Sequence, residues 1–316
     1  MENIESPAIA DHPFNDKNTS DVILQTTDGV HFYVNKIILS LSSGVFSEMF
    51  TLPSPQEQSL NDVVDGKTVI HLQDGSQDLF HLLSWCDPRG SPSVDNIQHM
   101  LAAMKLANKY DMEHTLKRVE RTLKSRPDLI KDNFSATYAI AVRYTFPELV
   151  QISARHSLST RVHEIPHVNE FDFVTGTDVQ KLYRYWYSCA EAVQTALHSR
   201  EWAIDESDTE SSWPELISFE GTCRSCSDSI VQDNRYRRSN FKMRAWLVEY
   251  INRLKTLLHE TPTSDTINNT ELSCYAITKM VSCAYCRELF EQGKFGIFTE
   301  SLKRKIEEAI ATVRSL

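Results

Sequence analysis

The chain has 316 residues, of which 41% are hydrophobic and 24% charged, and a formal net charge of −10. That length buries at least one sizeable core and accommodates several small units in series, while only nine glycines argue against a loop-rich β architecture. The acidic balance disfavours non-specific binding of nucleic acid or anionic lipid. No run approaches the roughly 20 apolar residues of a membrane span, and Glu2, Glu5 and Asp11 stand where a signal peptide would be basic and then apolar, so a soluble intracellular protein of nucleus or cytoplasm is expected.

Residues 1–18 are polar, hold two prolines and show no periodicity, which predicts a disordered leader. The β-branched run Asp21-Val22-Ile23-Leu24 then meets the turn residues Asp28 and Gly29. Val30, Phe32 and Val34 follow, alternating with His31 and Tyr33, so the spacing predicts a strand, a tight turn and a second strand. From Lys36 the period becomes helical through Ile37, Ile38 and Leu41. After Ser42-Ser43-Gly44 a second short helix carries Val45, Phe46, Met49 and Phe50. A polar, proline-containing loop from Thr51 to Lys67 leads to a brief strand, Thr68 to Leu72. Ser76 is the predicted N-cap of a helix burying Leu79, Phe80, Leu82 and Leu83; a helix restarts at Ser93 with Ile97, Leu101, Met104 and Ala107, and another carries Leu116, Val119 and Leu123 up to Pro127.

Strand, strand, helix, helix, strand and three helices, in that order, carry a family likeness in specific stretches. They are Asp21-Val22-Ile23-Leu24, Phe32-Tyr33-Val34-Asn35-Lys36-Ile37-Ile38-Leu39, Ser43-Gly44-Val45-Phe46-Ser47-Glu48-Met49-Phe50 and Phe80-His81-Leu82-Leu83. Residues 20–125 resemble the BTB/POZ family, and the whole arrangement resembles BTB proteins of fungal type with helical C-terminal extensions. The family usually has histidine where this chain has Asn35. Asp21 and Lys36 fit its charged positions at the dimer contact, so the resemblance implies a homodimer with Asp21, Asn35 and Lys36 at the interface. It also implies possible recruitment of a cullin-type ubiquitin ligase scaffold, with a separate region choosing the client protein. Cullin-recruiting members place a hydrophobic residue two before a glutamate in the loop after Phe50; here Pro55-Gln56-Glu57 stands there, and proline departs from that pattern.

Beyond Pro127, Phe134, Tyr138, Ile140, Ala141, Tyr144 and Leu149 keep a helical rhythm, and Val179, Leu182, Tyr183, Trp186 and Tyr187 predict a helix from Thr177. The acidic, serine-rich stretch Asp205 to Ser212 reads as a linker. Leu247, Ile251, Leu254 and Leu258 define an amphipathic helix closed by Pro262, and Phe298, Leu302, Ile306, Ala309 and Val313 define a last one.

The expected fold class is thus α+β: a BTB/POZ unit, a small sheet flanked by helices, followed by a mainly α-helical region. The expected division is a leader at 1–18, the BTB/POZ unit at 19–125, an extension at 126–203 placed like BACK helices, a linker at 204–213 and a helical region at 214–316. The predicted core of the first unit is Val22, Leu24, Phe32, Val34, Phe46, Met49, Leu79, Leu83 and Leu101.

Four of the seven cysteines form two Cys-x-x-Cys pairs, Cys223 with Cys226 and Cys283 with Cys286. A two-residue spacer presents both sulfurs to one ion, and four thiolates close a tetrahedral Zn²⁺ site, leaving no position for water, so the metal would be structural. The competing reading is two unrelated pairs packed as small apolar residues, and the long gap of residues 227–282 favours that side. Cys274 and His259 are reserve ligands, whereas Cys86 and Cys189, set among apolar neighbours, read as core. Between the pairs, Arg235, Arg237, Arg238, Lys242 and Arg244 interleave with Tyr236 and Phe241. They read first as a solvated helix face. The alternative is a nuclear transcription or chromatin regulator whose zinc-stabilised C-terminal region contacts nucleic acid through them. The sequence contains no nucleophile elbow, phosphate-cradling glycine loop, His-Glu-x-x-His helix or Rossmann glycines, so an interaction adaptor is expected and not an enzyme.

Overall fold

The computed structural model describes residues 7–51, 63–198, 228–231 and 241–313, with backbone alone for 228–231 and 241–243. The chain divides into two compact units, Met1–Ser153 and Ala154–Leu316.

The first unit is built on the sheet order β2-β1-β4-β3. Strand β1 (Val22–Gln25) pairs antiparallel with β2 (His31–Val34) and parallel with β4 (Lys67–His71), while β3 (Val63–Val64) pairs antiparallel with β4 at the far edge. Gly29 turns the hairpin at a φ of 78°, a left-handed conformation for which glycine carries no Cβ penalty. Both faces of β1 and β2 are buried. Val22, Leu24, Phe32 and Val34 join the helix-covered core, and Ile23, Tyr33 and Val69 form a small cluster of their own. The alternation of His31 and Tyr33 with the apolar residues therefore marks two buried faces, since both side chains are enclosed.

Helices α1 (Lys36–Ser42) and α2 (Gly44–Thr51) follow the hairpin, and α3 (Ser76–Cys86), α4 (Ile97–Lys109) and α5 (Glu113–Lys124) follow β4. Ser76 is the first residue of α3, one position inside its predicted capping place. The cap is supplied from the hairpin turn, where the Asp28 carboxylate accepts from Ser76 N–H at 3.1 Å and from Ser76 Oγ–H at 2.6 Å. Helix α4 starts at Ile97, four residues after Ser93, because Asn96 accepts from the amides of Gln98 and His99. The predicted core is buried with the exception of Met49, which is 38% exposed.

At both ends the compact unit extends beyond the expected BTB/POZ limits. The leader is not disordered throughout, because residues from Ala8 to Phe14 run along the outer edge of β2. His31 N–H donates to Ala8 O, Ala10 N–H to His31 O and Tyr33 N–H to Phe14 O, at 2.8–2.9 Å. Ala10 and Phe14, four apart in an otherwise polar run, then enter the core. A neighbouring tie is the ion pair Lys17–Asp65 at 2.8 Å, whose carboxylate also accepts from Tyr33 Oη at 2.9 Å. At the other end, beyond the expected domain limit near residue 125, the compact unit continues to Ser153. Helices α6 (Pro127–Asp132) and α7 (Phe134–Arg143) belong to the first unit, and α7 is buried from Phe134 to Ala141. A helix without a polar face must be enclosed, and α4 and α6 flank this one. The division at α8 (Pro147–Ser157) splits the expected extension.

In the second unit, α9 (Gly176–His198), α10 (Ala245–Glu260), α11 (Thr270–Val281), α12 (Ala284–Glu291) and α13 (Lys294–Ala311) share one core. The predicted stripe of Leu247, Ile251, Leu254 and Leu258 is buried, as are Phe298, Leu302, Ile306 and Ala309. Val313 lies beyond the end of α13. An antiparallel hairpin, β5 (Asp228–Val231) with β6 (Phe241–Arg244), precedes α10. The predicted linker lies outside the described residues.

Candidate protein-interaction site

At the start of α1, the Asp21 carboxylate accepts from the backbone N–H of Lys36 at 2.7 Å. Asn35 holds the N-cap position with its side chain making no capping bond, so Asp21, just ahead of β1, takes over that task. The ammonium of Lys36 sits over the Phe50 ring, 5.8 Å from its centroid. The three residues expected at the interface are thus gathered around one helix end.

The helix they introduce carries the informative surface. Seven residues long, α1 buries Leu39 alone, and Ile37 and Leu41 are 68% and 80% exposed. Residues four apart share a helix face, so these two present a paired apolar surface, and Met49 on α2 adds to the exposed apolar area. Sequence reasoning missed Ile37 and Leu41 as surface residues. The available signal was a helix too short to bury two faces while carrying three large apolar residues besides Leu39.

A second feature of this unit is a cavity of about 470 Å³ bounded by the Ile9–Asp11 segment, the hairpin, α3 and the first turn of α4. On its wall the rings of His81 and His99 stack with centroids 3.7 Å apart. Burial, and then the neighbouring His99, hold His81 below the ordinary histidine value of 6.5, with Asp78 opposing. Burial and then His71 do the same for His31, against Asp65 and alongside Lys17. Both imidazoles are held neutral in the fold and protonate more readily once the chain unfolds. Their contribution is therefore complete above the unfolded value near 6.5 and is lost as pH falls below it. The urea midpoint of the first unit is expected to drop between pH 7 and pH 5, and replacing both His31 and His81 with glutamine is expected to flatten that slope.

In the second unit Cys283 occupies the N-cap position of α12 without a side-chain capping bond, Cys286 lies within its first turn, and both side chains are buried. Cys223 and Cys226 lie outside the described residues. Among the described residues no group of three or more His, Cys, Asp or Glu side chains is placed to hold an ion. Cys274 and His259 are both exposed. Cys189 is fully buried and Cys86 partly so, and burial raises both thiols, Cys86 to about 12.

Two members of the basic cluster lie among the described residues, and neither is on a helix. Lys242 and Arg244 lie on β6, and Arg244 is 2% exposed, with its guanidinium over the Tyr285 ring at 5.3 Å. A buried cation stacked on an aromatic ring is withdrawn from any phosphate. Arg235, Tyr236, Arg237 and Arg238 lie outside the described residues.

No curated protein matches the chain in sequence. The family model described as the BTB/POZ domain matches residues 10–127, beginning within the segment that runs along β2 and ending as α6 begins. With the hairpin, the two short helices, the returning strand and the α3–α5 layer in the family order, residues 10–127 of the chain form a BTB/POZ domain.

Proposed function

We propose that this protein is a scaffold that dimerises through the exposed face of α1 and acts as a substrate adaptor for a cullin-type ubiquitin ligase, the C-terminal unit recruiting the client. The BTB/POZ domain is a protein–protein interaction module. The observation that carries the dimer is the exposure of Ile37 and Leu41, at 68% and 80%, beside the Asp21–Lys36 contact. Isologous pairing places the same patch on both sides and covers this surface twice. The cullin role rests on family likeness, with Pro55-Gln56-Glu57 lying outside the described residues. In this reading the chain works by binding, without catalysis.

Sedimentation velocity tests the dimer. The wild type is expected at twice the chain mass at micromolar concentration. The double variant Ile37→Asp, Leu41→Asp is expected as a monomer, with dissociation raised at least about 100-fold, because four carboxylates would be desolvated at one interface. Since both side chains are exposed, the circular dichroism of the variant should match the wild type. A wild-type monomer at tens of micromolar would remove the dimer. Co-purification with a cullin N-terminal region then tests the adaptor role.

The same reading includes one structural zinc held by Cys223, Cys226, Cys283 and Cys286. Its support is the spacing of Cys283 and Cys286, at the N-cap and in the first turn of α12, a spacing at which one turn can offer two thiolates to a single ion. In an interior of this kind the ion would act as a clip and would leave no open coordination position.

A further inference from the structure

We propose that the groove between the Ile9–Asp11 segment and helices α3 and α4 is a binding site for an extended peptide, which adds as a strand to the open edge of that segment. The inference is independent of the dimer and of the cullin role. Its first support is backbone geometry. Ile9 forms a parallel bridge with His31, in which Ala8 O and Ala10 N–H make both bonds to β2. Within such a bridge the N–H and C=O of the middle residue point the opposite way, and those of Ile9 have no partner among the described residues. An open edge of this kind is a template for another strand.

The second support is the cavity that borders this edge. Val30, Phe32 and Phe80 give it an apolar floor, and Gln77, His81 and His99 give it polar walls. Its volume of about 470 Å³ falls in the range of ligand pockets and is enough for a large apolar side chain. Strand addition takes its affinity from main-chain hydrogen bonds and its selectivity from a pocket for alternate side chains. Edge and pocket here supply both parts.

The third support is charge. Asp11 lies on the rim, exposed, and its carboxylate has no ion pair among the described residues. The matching peptide is therefore extended, carries a large apolar residue, and has a lysine or arginine close to it that reaches Asp11.

The test is selection of a linear phage-displayed peptide library on the purified full chain. Fluorescence anisotropy of the most enriched sequence, made as a labelled synthetic peptide, then follows with wild type and variants. Ile9→Pro removes one edge donor that has no partner among the described residues. It is expected to weaken binding at least tenfold and Asp11→Lys at least threefold, both with the thermal midpoint of the wild type. An N-methylated peptide, lacking the amide that faces Ile9, should lose binding to the unaltered protein, so the result does not depend on how the variants fold. Absence of any enriched peptide, or an enriched peptide that binds Ile9→Pro as tightly as wild type and tolerates N-methylation at every position, would overturn the proposal.

Discussion

Phe14→Ala is expected to lower the unfolding free energy of the BTB/POZ unit by about 3–5 kcal/mol, the range for removing a fully buried phenylalanine. Phe14 is 0% exposed. Its ring lies 5.9 Å from that of Phe32 and meets Phe80 edge-on at 5.4 Å, so truncation opens a void between the sheet edge and α3. Surrounding atoms relax only partly into such a void, and this adds to the lost transfer free energy. Against a typical domain stability of about 5–15 kcal/mol, the loss is a large fraction of the total. Urea unfolding followed by circular dichroism measures it directly. A shift below about 0.5 kcal/mol, the level of an inconsequential surface change, would mean that the segment through Phe14 is not part of the folded unit.

Removal of the proposed zinc is expected to have the largest effect of all. Structural zinc contributes apparent binding free energies of about 10–16 kcal/mol in small zinc domains, several times any single packing contact. Elemental analysis of the reduced, untagged protein is expected to find one zinc per chain. The variant Cys223→Ser, Cys283→Ser is expected to lose it, together with the protease resistance of the C-terminal unit, while the BTB/POZ unit keeps its melting transition. Reduced wild-type protein without zinc would eliminate the site. Cys283 and Cys286 would then be small packing residues, for which a serine substitution costs about 1–3 kcal/mol.

Much of the chain was legible one residue at a time. Val22 and Leu24, Phe32 and Val34 announce strands by their period of two. Leu247, Ile251, Leu254 and Leu258 announce a helix by spacings of three and four, and the structure buries all of them. These patterns are local, so composition and spacing carry them.

What escaped sequence reasoning depended on partners distant along the chain. Phe14 sits in a run whose polarity suggests disorder, yet the vacant edge of β2 captures its backbone. Met49 fits a core pattern, but its helix turns it outward. Arg244 belongs to a basic cluster in sequence and to the interior in space, because Tyr285, on α12, lies beneath it. The type of each main element, and the apolar stripe by which it packs, were set by the sequence itself, since local backbone preference and residue spacing suffice for both. Which stripes remain uncovered, as Ile37 and Leu41 do, which edge stays open, as at Ile9, and which charges are buried were decided only by the tertiary structure, because each depends on what else occupies the adjacent volume.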